Sequence, residues 1–129
     1  MSLRFRCLSA AMAVMIAVPL GPAAAAELKE GTYECTIGYP IRSMGNIEIV
    51  GSTYRGPAYD GKYEGRYAFE VTKGDTINWK GPLGGLSSGG NKVVATVLKD
   101  TGDGQIGFDI TVQLKSGNFS TVNCSPRRP

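Results

Sequence analysis

The stretch "QIGFDITVQL", residues 105–114, alternates along its length. Ile106, Phe108, Ile110, Val112 and Leu114 share one phase, and Gln105, Asp109, Thr111 and Gln113 share the other. Side chains of an extended chain point to opposite faces in turn, so this pattern buries one face and wets the other. A helix would scatter the same apolar residues around its circumference. The alternation recurs in "GTYECTI", where Tyr33, Cys35 and Ile37 share a face, and in "NIEIV" with Ile47 and Ile49. In "GKYEGRYAFEV" it sends Tyr63, Tyr67, Phe69 and Val71 one way, and Lys62, Glu64, Arg66 and Glu70 the other. "KVVATVLK" instead carries Val93, Ala95 and Val97 on one phase and Val94 and Leu98 on the other, as a strand covered on both faces does. No segment after Glu27 sustains a helical period. The fold class is all-β.

Punctuation divides these runs. "KGD" (73–75), "DTGDG" (100–104) and "SGN" (116–118) separate strand-like stretches by hairpin-sized gaps. From Gly61 onward the chain reads as an antiparallel meander of about five strands. Earlier runs at 31–37, 45–50 and 52–55 bring the expected total to about eight. Closure into a small barrel is the expected architecture, with a two-sheet sandwich as the alternative.

The ends add a compartment. Arg4 and Arg6, the apolar "LSAAMAVMIAVPLG" and an A-x-A site ending at Ala26 have the order of a secretory signal peptide. The apolar run meets Pro19 and Gly21, short of the roughly 20 residues a transmembrane helix needs. Residues 1–26 are therefore expected to direct export of a single all-β domain, 27–129. Its expected location is the bacterial periplasm or the medium, with no membrane span after cleavage. In an oxidising compartment Cys35 and Cys124 pair, tying the first strand to the last. Setting aside Arg4 and Arg6 leaves 12 basic against 11 acidic residues. This near balance weighs against a nucleic acid partner.

Catalytic and metal-binding chemistry finds few residue types to use. The chain has no histidine, the commonest general base and zinc ligand. "KDTGDGQIGFDI" has the glycine of a calcium loop, but Lys99 and Ile110 stand where carboxylates are required. The remaining acids fall on polar strand phases or in turns. No enzyme activity, no cofactor and no metal are expected.

Two stretches are candidate binding sites. "INWKGPLGGLSSGG", residues 77–90, lacks both nucleotide-loop fingerprints. It reads as a long, flexible connection from a strand ending at Trp79 to one starting near Lys92. Trp79, Leu83 and Leu86 are expected to form a lid over a small apolar ligand, unless the leucines only cap the core. In "YRGPAYDGKYEGRY", Tyr63 and Tyr67 have core phase. Tyr54, Arg55 and Tyr59 are expected on the surface, where they would meet a sugar or a protein.

The string "GTYECTI…MGNIEIVGSTYRG…YEGRYAFEV…TINWKGPLGGL" resembles small exported proteobacterial proteins of unassigned function. That resemblance implies a barrel-like domain and no activity. "LSSGGNK" is similar to the Ser-x-Ser-Gly segment of the periplasmic inhibitors of C-type lysozyme, which are small disulfide-bearing β-barrels. This second resemblance implies that Ser88 enters an enzyme cleft with Lys92 as a charged partner. The expected function is an exported, non-enzymatic barrel that binds a small apolar ligand or a cell-envelope component such as an envelope protein. A protein-binding module of the lysozyme-inhibitor kind and a structural envelope protein are the alternatives.

Overall fold

A computed structural model describes residues 28–128, so the expected signal peptide and its cleavage site lie outside the described residues. Eight strands follow one another: β1 (Gly31–Ile37), β2 (Arg42–Val50), β3 (Thr53–Ala58), β4 (Tyr67–Thr72), β5 (Thr76–Trp79), β6 (Lys92–Asp100), β7 (Ile106–Gln113) and β8 (Phe119–Pro126). Each pairs with its chain neighbours, and β1 pairs with β8, so the meander closes into a barrel and not a sandwich. At that closure Cys35 stands opposite Cys124, their Cα atoms 4.0 Å apart, and a disulfide joins them. The bridge is compatible with an extracytoplasmic protein. Among the described residues no helix is long and apolar enough to cross a membrane.

Alternation fills the interior. Tyr33, Cys35, Ile47, Ile49, Phe108, Ile110, Val112, Val122 and Cys124 are all buried. Rings dominate the centre: Tyr33 and Trp79 pack on Phe108, while Tyr54 meets Trp79 edge-on at 4.7 Å between centroids. Phe69 closes the cluster against Trp79.

Three expectations need correction. Tyr54 is fully buried, because it pairs with Ile49, and antiparallel partners share a face of the sheet. The run 61–66 forms no strand; only Tyr67–Thr72 pairs. Strand β6 is not covered on both faces, since Val94 and Val97 are 45% and 44% exposed. Its register shifts between Val93 and Ala95, so Val94 is an extra residue. Such a bulge resets the phase, turning Val93, Thr96 and Leu98 inward and Val94, Ala95 and Val97 outward. The bulge therefore brings Val93 and Leu98, on opposite phases of the sequence, to the same inward face, while Val94, Ala95 and Val97 stay outside.

The connections differ in length between the two ends. Residues 51–52, 73–75 and 101–105 make the turns at one end, and 38–41, 59–66, 80–91 and 114–118 make those at the other. The candidate sites lie at the second end.

Candidate functional site

Two seams of the barrel part at the end with long connections. Strands β3 and β4 share only the pairs Thr53–Ala68 and Tyr54–Tyr67, and β5 and β6 share only Thr76–Val97. Near the short turns, Phe69 N–H donates to Ser52 O at 3.0 Å and Leu98 N–H to Asp75 O at 2.8 Å. Away from those turns the seams open. Pro57, which offers no N–H, sits where β3 has already left β4, at an irregularity in the β2–β3 register.

The Gly-rich connection, residues 80–91, fills the gap. Its short 3-10 helix, Gly84–Ser87, and the residue before it bury Leu86 and Leu83, which are 4% and 1% exposed. Both leucines belong to the main core cluster. Tyr54 anchors the root from below: its hydroxyl donates to Pro82 O at 3.1 Å and accepts from Gly81 N–H at 3.0 Å. Burial pushes this phenol up to about 12, against the opposing effect of the Gly81 hydrogen bond. Ser87 Oγ accepts from Leu83 N–H at 2.7 Å, and Asn91 bonds both Gly85 O and Lys115 N–H. The connection is thus pinned at its root, middle and far end. The expected flexible arm is a plug.

Where the connection meets β3 and β4, glycine is required at Gly81 and Gly84. A Cβ at Gly81 would collide with Cγ and Cδ1 of Tyr67, and one at Gly84 would meet Pro57 O at 3.1 Å with φ already +54°. These close approaches bring the connection against β3 and β4.

Two open clefts flank the plug. The smaller, about 340 Å3, lies in the β5–β6 seam among Trp79, Leu83, Ser87, Asn91, Lys92 and Thr96. Trp79 Nε1–H donates to Thr96 Oγ1 at 2.7 Å across that seam, which satisfies the buried threonine. The larger cleft, about 730 Å3, lies between the 59–66 connection and the plug. Pro57, Tyr59, Tyr67 and Pro82 supply its apolar walls, Asp60, Lys62, Glu64 and Ser88 its polar ones, and Gly84 and Gly85 a stretch of bare backbone. Tyr59 is 73% exposed yet held in place, its hydroxyl donating to Ser43 O at 2.6 Å.

The structure divides the sequence candidates. Tyr59 and Ser88 line the larger cleft; Trp79, Leu83 and Lys92 line the smaller. Tyr54 and Leu86 belong to the core. Arg55 faces elsewhere, donating through Nε and Nη2 to Glu48 Oε1 and standing over the Tyr63 ring at 5.0 Å. Arg66 donates to the same oxygen at 2.9 Å, and the Arg55 hydrogen bond, then Arg66, holds the Glu48 carboxyl below its usual range. This cluster ties the 59–66 connection to β2 and β3. Tyr67 is misplaced in the opposite sense to Tyr54. Its phase matches buried Tyr54, its partner in the ladder, but it begins β4 at the open seam and reaches the cleft at 36% exposure.

The acids keep apart from one another in function. Glu70 pairs with Lys80, and Asp109 with Lys99 and Asn123. Among the described residues no three acidic, histidine or cysteine side chains gather as a metal site. No family model matches this chain, and neither does any curated protein or solved structure compared with it.

Proposed function

We propose that this is an exported, non-enzymatic binding module, periplasmic or secreted, whose ligand is a glycan of the cell envelope held in the larger cleft. One observation carries the reading: Tyr59 and Tyr67, beside Pro57 and Pro82, line a cleft that also holds two carboxylates, an ammonium, a hydroxyl and bare backbone. Sugars have one apolar face and a rim of hydroxyls, so they need this mixture of flat ring and dispersed polar groups. A small apolar guest has less support, because the barrel axis is filled by the Tyr33–Phe108–Trp79–Tyr54 cluster. The signal-like leader and the Cys35–Cys124 bridge support the compartment.

A second reading, a protein-binding module of the lysozyme-inhibitor kind, draws on Ser88, which stands in the same cleft. One experiment separates the two. The purified protein is sedimented with insoluble cell-wall glycan and competed with soluble oligosaccharide. Tyr59→Ala is expected to weaken retention about three- to tenfold with an unchanged melting temperature. Retention equal to wild type in both Tyr59→Ala and Ser88→Arg would remove the glycan from this cleft. Loss of lysozyme inhibition in Ser88→Arg, with no glycan retention by wild type, would favour the second reading.

A further inference from the structure

Large apolar side chains that remain exposed are distributed unevenly over the barrel. Tyr39, Ile41, Tyr59, Tyr67, Val94 and Phe119 all stand toward the end with the long connections; Val50 opens the other end and Val97 lies along β6. Tyr59 and Tyr67 belong to the larger cleft. Tyr39, Ile41 and Phe119, at 99%, 71% and 63% exposure, form a separate tip. Their proximity follows from register. Ile37 pairs with both Arg42 and Val122, so the 38–41 turn runs on past Val122 toward the start of β8, where Phe119 lies. Across β7, Gln113 pairs with Phe119 on one side and Lys92 on the other, which adds a cation to the same row.

The charge at this end is also one-sided. Arg42, Lys62, Lys92 and Lys115 are found here, and among the described residues no ion pair engages any of them. The acids of this end, Asp60 and Glu64, line the larger cleft. The tip therefore carries Arg42, Lys92 and Lys115 around three exposed apolar side chains. A protein interface favours a patch whose hydrogen bonds and shape are matched by a rigid partner. A protruding turn ringed by long cations fits a soft surface, which an aromatic and an aliphatic side chain can enter while lysine and arginine remain at phosphate level.

We propose that this tip docks the barrel on an anionic phospholipid surface. Tyr39 and Ile41 enter the headgroup layer, Phe119 lies along it, and Arg42, Lys92 and Lys115 contact lipid phosphates. The site is on the β6–β7–β8–β1–β2 side of the barrel end, whereas the proposed glycan cleft is on the β3–β4 side. Either can fail without the other.

The test is co-sedimentation of the disulfide-bonded protein with phosphatidylcholine vesicles, with and without admixed phosphatidylglycerol. Wild type is expected to bind the mixed vesicles, to release on added salt, and to leave phosphatidylcholine alone. Arg42→Glu and the double variant Tyr39→Ser/Ile41→Ser are each expected to lose about tenfold or more in affinity at unchanged melting temperature. Val50→Ser, at the opposite end, is expected to bind as wild type. Equal binding to both vesicle types, or wild-type binding by the tip variants, overturns the proposal. So does an absence of vesicle binding with concentration-dependent self-association, which would assign the tip to a second copy of this chain.

Discussion

Tyr54 shows most directly how a single residue joins the core to the site. Its ring is packed among Phe69, Trp79 and Tyr67, and its hydroxyl bonds both Gly81 N–H and Pro82 O. Tyr54→Phe keeps the ring and strands both backbone groups, so it is expected to cost about 1–3 kcal/mol, read from urea unfolding. The phenol also creates a pH dependence. An unfolded tyrosine ionises near 10, and the folded one is pushed up to about 12. The neutral group thus adds stability that is complete below about pH 10 and is lost as pH rises toward 12. Between those values the wild-type unfolding midpoint is expected to fall more steeply than that of Tyr54→Phe. Parallel slopes would mean that Tyr54 does not carry the effect. Sequence phase alone misreads this residue, because Gly56, Pro57 and Asp60 make its neighbourhood look like a loop. Its pairing with Ile49, which no local pattern encodes, places it inside.

Among the elements, the Gly-rich connection was legible in position and, through the core-capping reading of its leucines, partly in role, whereas strand β6 was legible in position alone. The end of β5 at Trp79 and the start of β6 at Lys92 agree with the sequence reading. Leu83 and Leu86 cap the core, as the second reading of the stretch allows, and fill space left where β3 parts from β4 and β5 from β6. At its root Gly81 lets the Tyr67 ring lie against the connection, whose Pro82, Gly84, Gly85 and Ser88 then line the larger cleft. Gly81→Ala forces that ring to move and is expected to destabilise the fold by about 1–3 kcal/mol. In the Tyr67→Ser background the same change is expected to cost much less. Additive costs in this double-mutant cycle would mean that the ring and the glycine do not share the space. In β6 the single bulge residue Val94 conceals which side chains turn inward, because a two-residue period cannot be followed through an inserted residue.

At the scale of the whole molecule, the Cys35–Cys124 bridge fastens the seam that closes the barrel, across a sequence separation of 89 residues. In the chain-entropy account a loop of that length contributes about 4–5 kcal/mol. Cys35→Ala/Cys124→Ala is expected to lose most of that in urea unfolding, and reduced wild type is expected to match it. A loss below about 1 kcal/mol would show that the β1–β8 ladder alone secures the closure. The sequence by itself determined the all-β class, the order of the strands, the cysteine pairing and the location of the 80–91 connection. These depend on a two-residue period, on turn residues and on compartment, all of which are local or compositional. Only the tertiary structure decided that the barrel closes, that Tyr54 faces inward while Tyr67 reaches a cleft, and that the exposed apolar residues gather at one end. Those outcomes depend on which strands pair and where a ladder stops, and pairing energy belongs to residues far apart in the chain.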